Sequence, residues 1–135
     1  MQFALISDRV EAAGGPVDTS GLLGVWVNSN PETQGIARMT LAESGGRLSL
    51  RAQAVGPDGL IDWGEADVRA FSSSPSSRAA AGFSCRFDFG FAEVLLQAMI
   101  LKGLVVLAQF HTFKDDSGRA DFFVREYFAL IHGRY

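Results

Sequence analysis

The chain has 135 residues, 47% hydrophobic and 20% charged, with a formal net charge of −3. At this length about two-thirds of the unfolded surface can be buried, so one core needs neither disulfides nor a structural metal, and two independent cores do not fit. Lys and Arg are scattered singly over an acidic background, so no basic patch marks a nucleic-acid partner.

Residues 1–20 contain Glu11-Ala12-Ala13-Gly14-Gly15-Pro16 and no sustained periodicity, which predicts an N-terminal arm or lid preceding a single domain over 21–135. Met1 to Asp8 has no basic lead and too short an apolar stretch for a signal peptide. The longest apolar run, Val94 to Leu101, is broken by Gln97 and falls far short of the ~20 residues of a membrane-spanning helix. Cys85 is the only cysteine and cannot close an intramolecular bridge, which suits a reducing compartment. The expectation is a cytoplasmic protein with no membrane partner.

From Leu22 onward, short β-branched, aromatic and aliphatic runs alternate with turn chemistry. The predicted strands are Gly24–Asn28, Gly35–Glu43, Arg47–Ala54, Ile61–Phe71, Ala79–Phe89, Phe91–Ile100, Leu104–Phe113 and Ala120–Ile131. Between them stand Gly, Pro, Asn, Asp and Ser, as in Asn30-Pro31-Glu32, Ser44-Gly45-Gly46 and Gly56-Pro57-Asp58-Gly59. Connections this tight join antiparallel neighbours. About eight such strands predict an all-β, up-and-down antiparallel barrel.

Alternation assigns the faces. Leu48, Leu50, Ala52 and Ala54 oppose Arg47, Ser49, Arg51 and Gln53, and Phe83, Cys85, Phe87 and Phe89 oppose Ser84, Arg86 and Asp88. The fourth run sets Gly64, Ala66, Val68 and Ala70 inward, and such small side chains leave room inside a barrel. The last runs are apolar on both faces apart from Gln109, His111, Arg125 and Glu126, so either the arm or a homodimer interface is expected to cover their outer surface. Phe91–Lys102 also satisfies helical spacing through Val94, Leu95, Ala98 and Leu101, which leaves a helix as the competing reading there.

Gly24-Val25-Trp26, at the start of the first strand of an eight-strand meander, resembles the Gly-x-Trp opening of the calycin superfamily of lipocalins, fatty-acid-binding proteins and avidins. The resemblance implies an internal site for a small molecule, with Trp26 at the closed end of the barrel stacking on a late-strand base, here Arg125. The second and third lipocalin motifs and the lipocalin disulfide are not seen, and the two-helix lid of fatty-acid-binding proteins has no room. Trp26-Val27-Asn28, Asp62-Trp63-Gly64 and Asp116-Ser117-Gly118-Arg119 are similar to segments of uncharacterised small bacterial and fungal proteins.

The two histidines, His111 and His132, lie far apart in sequence with no ligand spacing around them, and Gly14-Gly15 and Gly45-Gly46 lack the context of a phosphate loop, so neither a metal nor a cofactor is expected. Cys85 reads as a small buried hydrophobe between Phe83 and Phe87. His111 is the one side chain with an ordinary pKa suited to proton transfer near neutrality. Glu126 shares parity with Phe122, Val124, Phe128 and Leu130. If that face is the lumen, a carboxylate sits among apolar groups; if the other is, Arg125 and Tyr127 point inward. Asp62 shares parity with Gly64 and Ala66, although a turn-capping role also fits it, and Asp115, Asp116 and Arg119 read as a solvated hairpin loop.

Three functions follow. The first is binding of a small hydrophobic molecule, with Trp26, Trp63, Phe83, Phe87, Phe89, Phe110, Phe113, Arg125 and Phe128 as the binding residues. The second is a cofactor-independent cyclase or isomerase acting on a polyene or polyketide-like intermediate, with Glu126, His111 and Tyr127 as catalytic candidates. The third is a structural dimer whose barrel is filled by its own share of the eleven phenylalanines.

Overall fold

Alternation governs the structure as it governs the sequence: along Arg47–Gly56, Leu48, Leu50, Ala52 and Ala54 are buried while Arg47 and Arg51 face solvent. The computed structural model describes residues 17–131. Its strands are β1 (Gly24–Asn28), β2 (Ile36–Ser44), β3 (Arg47–Gly56), β4 (Gly59–Ser72), β5 (Ala80–Asp88), β6 (Ala92–Leu101), β7 (Leu104–Phe113) and β8 (Phe122–Leu130). Each pairs antiparallel with the next, and β8 returns to β1, closing a barrel in chain order. The segment that also satisfied helical spacing is β6, because both its neighbours supply a ladder: Leu96 lies between Cys85 of β5 and Gln109 of β7. No helix among the described residues is long and apolar enough to cross a membrane.

One end of the barrel is plugged. A single 3-10 turn, Ser20–Leu22, tucks the fully buried Leu22 beneath the sheet, and the Trp26 indole Nε1–H donates to the Leu22 carbonyl at 2.8 Å. The preceding residues are tied to the same end, with the Asp18 N–H donating to the Arg78 carbonyl and the Ala80 N–H to the Asp18 carbonyl. Of the arm expected over 1–20, residues 1–16 lie outside the described residues, and with them any lid or cover they form. Trp26 faces Leu130 across the β1·β8 pair, whereas Arg125 is exposed and in register with Ala108 of β7. The expected stacking of Arg125 on Trp26 is therefore corrected: the two side chains leave the sheet on opposite faces, and the indole binds a backbone carbonyl instead.

A bulge in β4 reshapes the interior. Ala52 pairs with Gly64 but Gln53 pairs with Asp62, so Trp63 is an extra residue in the ladder, and Gly64 takes φ +88°, a conformation that costs a side-chain-bearing residue. The inserted residue reverses the alternation on its far side. Trp63 points into the barrel, and Asp62 points out to Arg51 at 2.7 Å while also accepting the Gly64 N–H at 2.8 Å. That backbone bond, with Arg51 adding to it, holds the Asp62 carboxyl below its ordinary pKa. The inward parity read for Asp62 is thus overturned.

The outer surface of β6, β7 and β8 carries an apolar patch. Phe110 lies there, stacked on Phe123 at 5.6 Å, with Leu95 beside it in register and Met99 and Tyr127 flanking Val106. Phe110 is therefore not a lumen residue, which corrects its place among the binding residues: it shares parity with Val106 and Ala108, and the inward positions of β7 are Val105, Leu107, Gln109 and His111.

Candidate functional site

The barrel is sealed at one end and open at the other because its first strand is short. β1 has five residues and β8 nine, and their ladder comprises Trp26↔Leu130, Val27↔Ala129 and Asn28↔Phe128. After a last bond from the Ser29 N–H to the Tyr127 carbonyl (2.8 Å), the wall beside β8 is completed by the 29–35 loop. Its sequence, Ser-Asn-Pro-Glu-Thr-Gln-Gly, supplies its own scaffold. The Asn28 side chain accepts the Asn30 N–H (2.8 Å) and donates to the Ile36 carbonyl (2.9 Å), and the Asn30 side chain accepts the Glu32 N–H (3.0 Å).

This scaffold aims Thr33 at the barrel. The Gly35 N–H donates to Thr33 Oγ1 at 3.0 Å, and the hydroxyl in turn donates to Glu126 Oε2 at 2.6 Å. From the opposite side the Gln109 amide, almost fully buried, donates to Glu126 Oε1 at 3.0 Å. A carboxylate whose two oxygens each accept a bond from a fixed donor is held in position by three elements: the loop, β7 and β8.

Beside it lies a cavity of about 690 Å³, reached from the open end and from the side of β8. Glu126, Gln109, His111, Trp63 and Phe122 are among its walls. A second chamber of about 420 Å³ is lined by Phe89, Phe91, Val94 and Phe113, and shares Ile61, Trp63 and His111 with the first. The Trp63 indole meets Phe87 and Phe89 edge-on at 5.5 and 5.2 Å. The His111 ring stacks on Phe122 at 4.3 Å, and its partial burial pushes its pKa below the ordinary 6.5, which favours neutral imidazole. On the rim, the Arg119 guanidinium covers Phe113 at 4.2 Å and bonds Asp115 at 2.9 Å.

The face of β8 left open by sequence is settled: Glu126, Phe128 and Leu130 point inward, while Arg125 and Tyr127 are exposed and meet the cavity only at its side opening. Among the proposed catalytic residues, Glu126 and His111 share one wall, one to either side of Gln109, and no hydrogen bond joins them. Among the proposed binding residues, Trp63 and Arg125 border the first chamber and Phe89 and Phe113 the second. Phe87 supports Trp63. Trp26, Phe83 and Phe128 are packed into the core and border neither chamber, because the plugged half of the barrel is filled by its own side chains. Cys85 belongs to that core, where burial pushes its thiol up to about 12.

Thr33, Asn28 and Gln109 were not assigned to a site from the sequence. Gln109 gave a usable signal, as a polar residue at the inward parity of an apolar strand between Leu107 and His111. Thr33 gave none, because its role depends on the loop's fold. Among the described residues no group of His, Cys, Asp and Glu is arranged to hold a metal ion. No protein-family model, curated protein or solved structure matches the chain.

Proposed function

We propose that the protein binds a small, largely apolar molecule in the open half of a calycin-like barrel, with Glu126 as the polar anchor. The observation that carries this reading is the pairing of an aromatic-walled cavity of about 690 Å³ with one carboxylate held by Thr33 and Gln109. Ligand sites are commonly apolar cavities of ~300–1,000 Å³ with a few fixed polar groups. The closed up-and-down order of eight strands, with Gly24-Val25-Trp26 at the plugged end, supports the calycin-like comparison. Titration with the apolar fluorophore N-phenyl-1-naphthylamine is the test. Saturation at one molecule per chain, with quenching that disappears in Trp63→Phe, is expected. Failure to saturate overturns the reading.

A second reading, cofactor-independent cyclisation or isomerisation, draws on the placement of a carboxylate and a neutral imidazole in one cavity. It requires turnover of a polyene or polyketide-like substrate, with Glu126→Gln lowering kcat more than it raises KM.

A further inference from the structure

We infer that the guest of this cavity is a cation: an apolar body ending in a protonated amine or similar nitrogen group, with Glu126 as its counter-ion. The inference rests on the binding function proposed above and narrows it to one ligand chemistry. Among the described residues, Glu126 is the one charged side chain at an inward strand position that borders the cavity; Glu43, in register with the inward Leu48, lies at the plugged end, where its carboxylate accepts the Thr19 hydroxyl. The inward positions of β3, β5 and β6 are Leu, Ala, Phe, Cys, Val and Ile, and those of β7 and β8 add only Gln109 and His111 as further polar groups.

The surroundings of Glu126 fix its chemistry. An ionised carboxylate has about four lone-pair sites. Two are taken by the Thr33 hydroxyl and the Gln109 amide, which donate to different oxygens and leave the remaining sites available to a guest. The Thr33 hydroxyl donates to Glu126, because an ionised carboxylate only accepts, and its oxygen in turn accepts the Gly35 N–H. Both neighbours are uncharged, and no Lys or Arg pairs with Glu126 among the described residues. Glu126 is therefore a negative charge with no ion-pair partner among the described residues, since Arg125, the one Arg or Lys bordering the cavity, leaves β8 on the opposite face. A carboxylic acid guest would bring a second negative charge to it, whereas a cation would be neutralised by it.

The walls add to this preference. Trp63 and Phe122 border the same cavity, and aromatic faces attract cations. The apolar body has its own place, because Trp63 and His111 are shared with the second chamber, whose walls are mainly apolar, with Phe89, Phe91, Val94 and Phe113, and whose one carboxylate, Asp62, is already paired with Arg51. A guest with its nitrogen at Glu126 and its hydrocarbon passing Trp63 toward Phe113 satisfies both chambers.

The test compares three probes of equal chain length, decylamine, decanol and decanoate, titrated at neutral pH against the intact protein by Trp fluorescence. Decylamine is expected to bind roughly tenfold or more tightly than decanol, as a charge-assisted contact exceeds a neutral one, with decanoate weakest. In Glu126→Gln the amine-to-alcohol ratio is expected to fall to about one. Decanol binding as tightly as decylamine, decanoate binding most tightly, or an unchanged ratio in the variant each overturns the inference while leaving an apolar binding chamber in place. Failure of all three probes and of the fluorophore overturns the chamber itself. If the variant does not fold, the wild-type ratio decides alone.

Discussion

The two halves of this barrel are built from the same strands and differ in what the inward side chains do. Toward the plugged end, Leu41, Leu50, Phe83, Leu96, Leu107 and Phe128 are almost wholly buried against one another, and Leu22 and Trp26 close the base. Toward the mouth, the same inward faces carry Asn28, Gln109, His111 and Glu126, and the space between them stays open. An eight-strand barrel is just wide enough to be filled by side chains or to hold one small ligand. This one is filled at one level and open at the other, so on the proposed reading stability and binding fall to different layers of one sheet.

The widest separation of the two layers is expected from Phe128→Ala. Truncating this fully buried ring should cost about 3–5 kcal/mol in urea-induced unfolding. A loss under about 1 kcal/mol would mean that the lower layer is not close-packed. Next in size is Gly64→Ala, which places a Cβ at φ +88° and should cost about 1 kcal/mol or somewhat more. It should also weaken fluorophore quenching, since Trp63 projects from the bulge that Gly64 permits; unchanged quenching would separate the bulge from the cavity.

The smallest effect belongs to His111. Burial depresses its pKa in the folded chain, so the unfolded chain binds the proton better. Stability is therefore full above the ordinary value of 6.5, falls as pH drops below it, and levels off once the folded imidazole also titrates. His111→Gln should flatten this slope as pH falls through and below about 6.5. Carboxylates such as Asp62, with folded pKa values held below 3.8, act only in the more acidic range, where their contribution is lost as pH falls. An unaltered slope in the variant would assign the pH response to another group.

Strand order and the inward faces of β3 and β5 were legible because alternation is local: Leu48 to Ala54 and Phe83 to Phe87 are buried as their spacing implies. The ambiguity over Phe91–Lys102 was real in one dimension and disappears once partners on both edges compete for its backbone. Parity failed where an extra residue entered the ladder. Counting by twos through Trp63 puts Asp62 inside, and only the positive φ of Gly64, invisible in a sequence, puts it outside. Face was also unreadable in β7 and β8, where apolar Phe110 and Phe123 point outward as readily as Leu107 and Phe128 point inward. The anchor of the site was half visible: Glu126 stood out as a carboxylate in an apolar strand, but Thr33, 93 positions away in sequence, reaches it only through the folded loop.

The junction of the first and last strands has a mechanical consequence. Ten residue pairs clasp β6 to β7, whereas three clasp β1 to β8, directly below the side opening. A hoop under outward pressure gives way at its weakest join, and local opening free energies are lowest where backbone bonds are fewest. A guest too broad for the mouth would therefore part the hoop at Asn28 and Phe128, like a zip drawn down from its free end, while the plugged base keeps the two halves of the fastener aligned for reclosing.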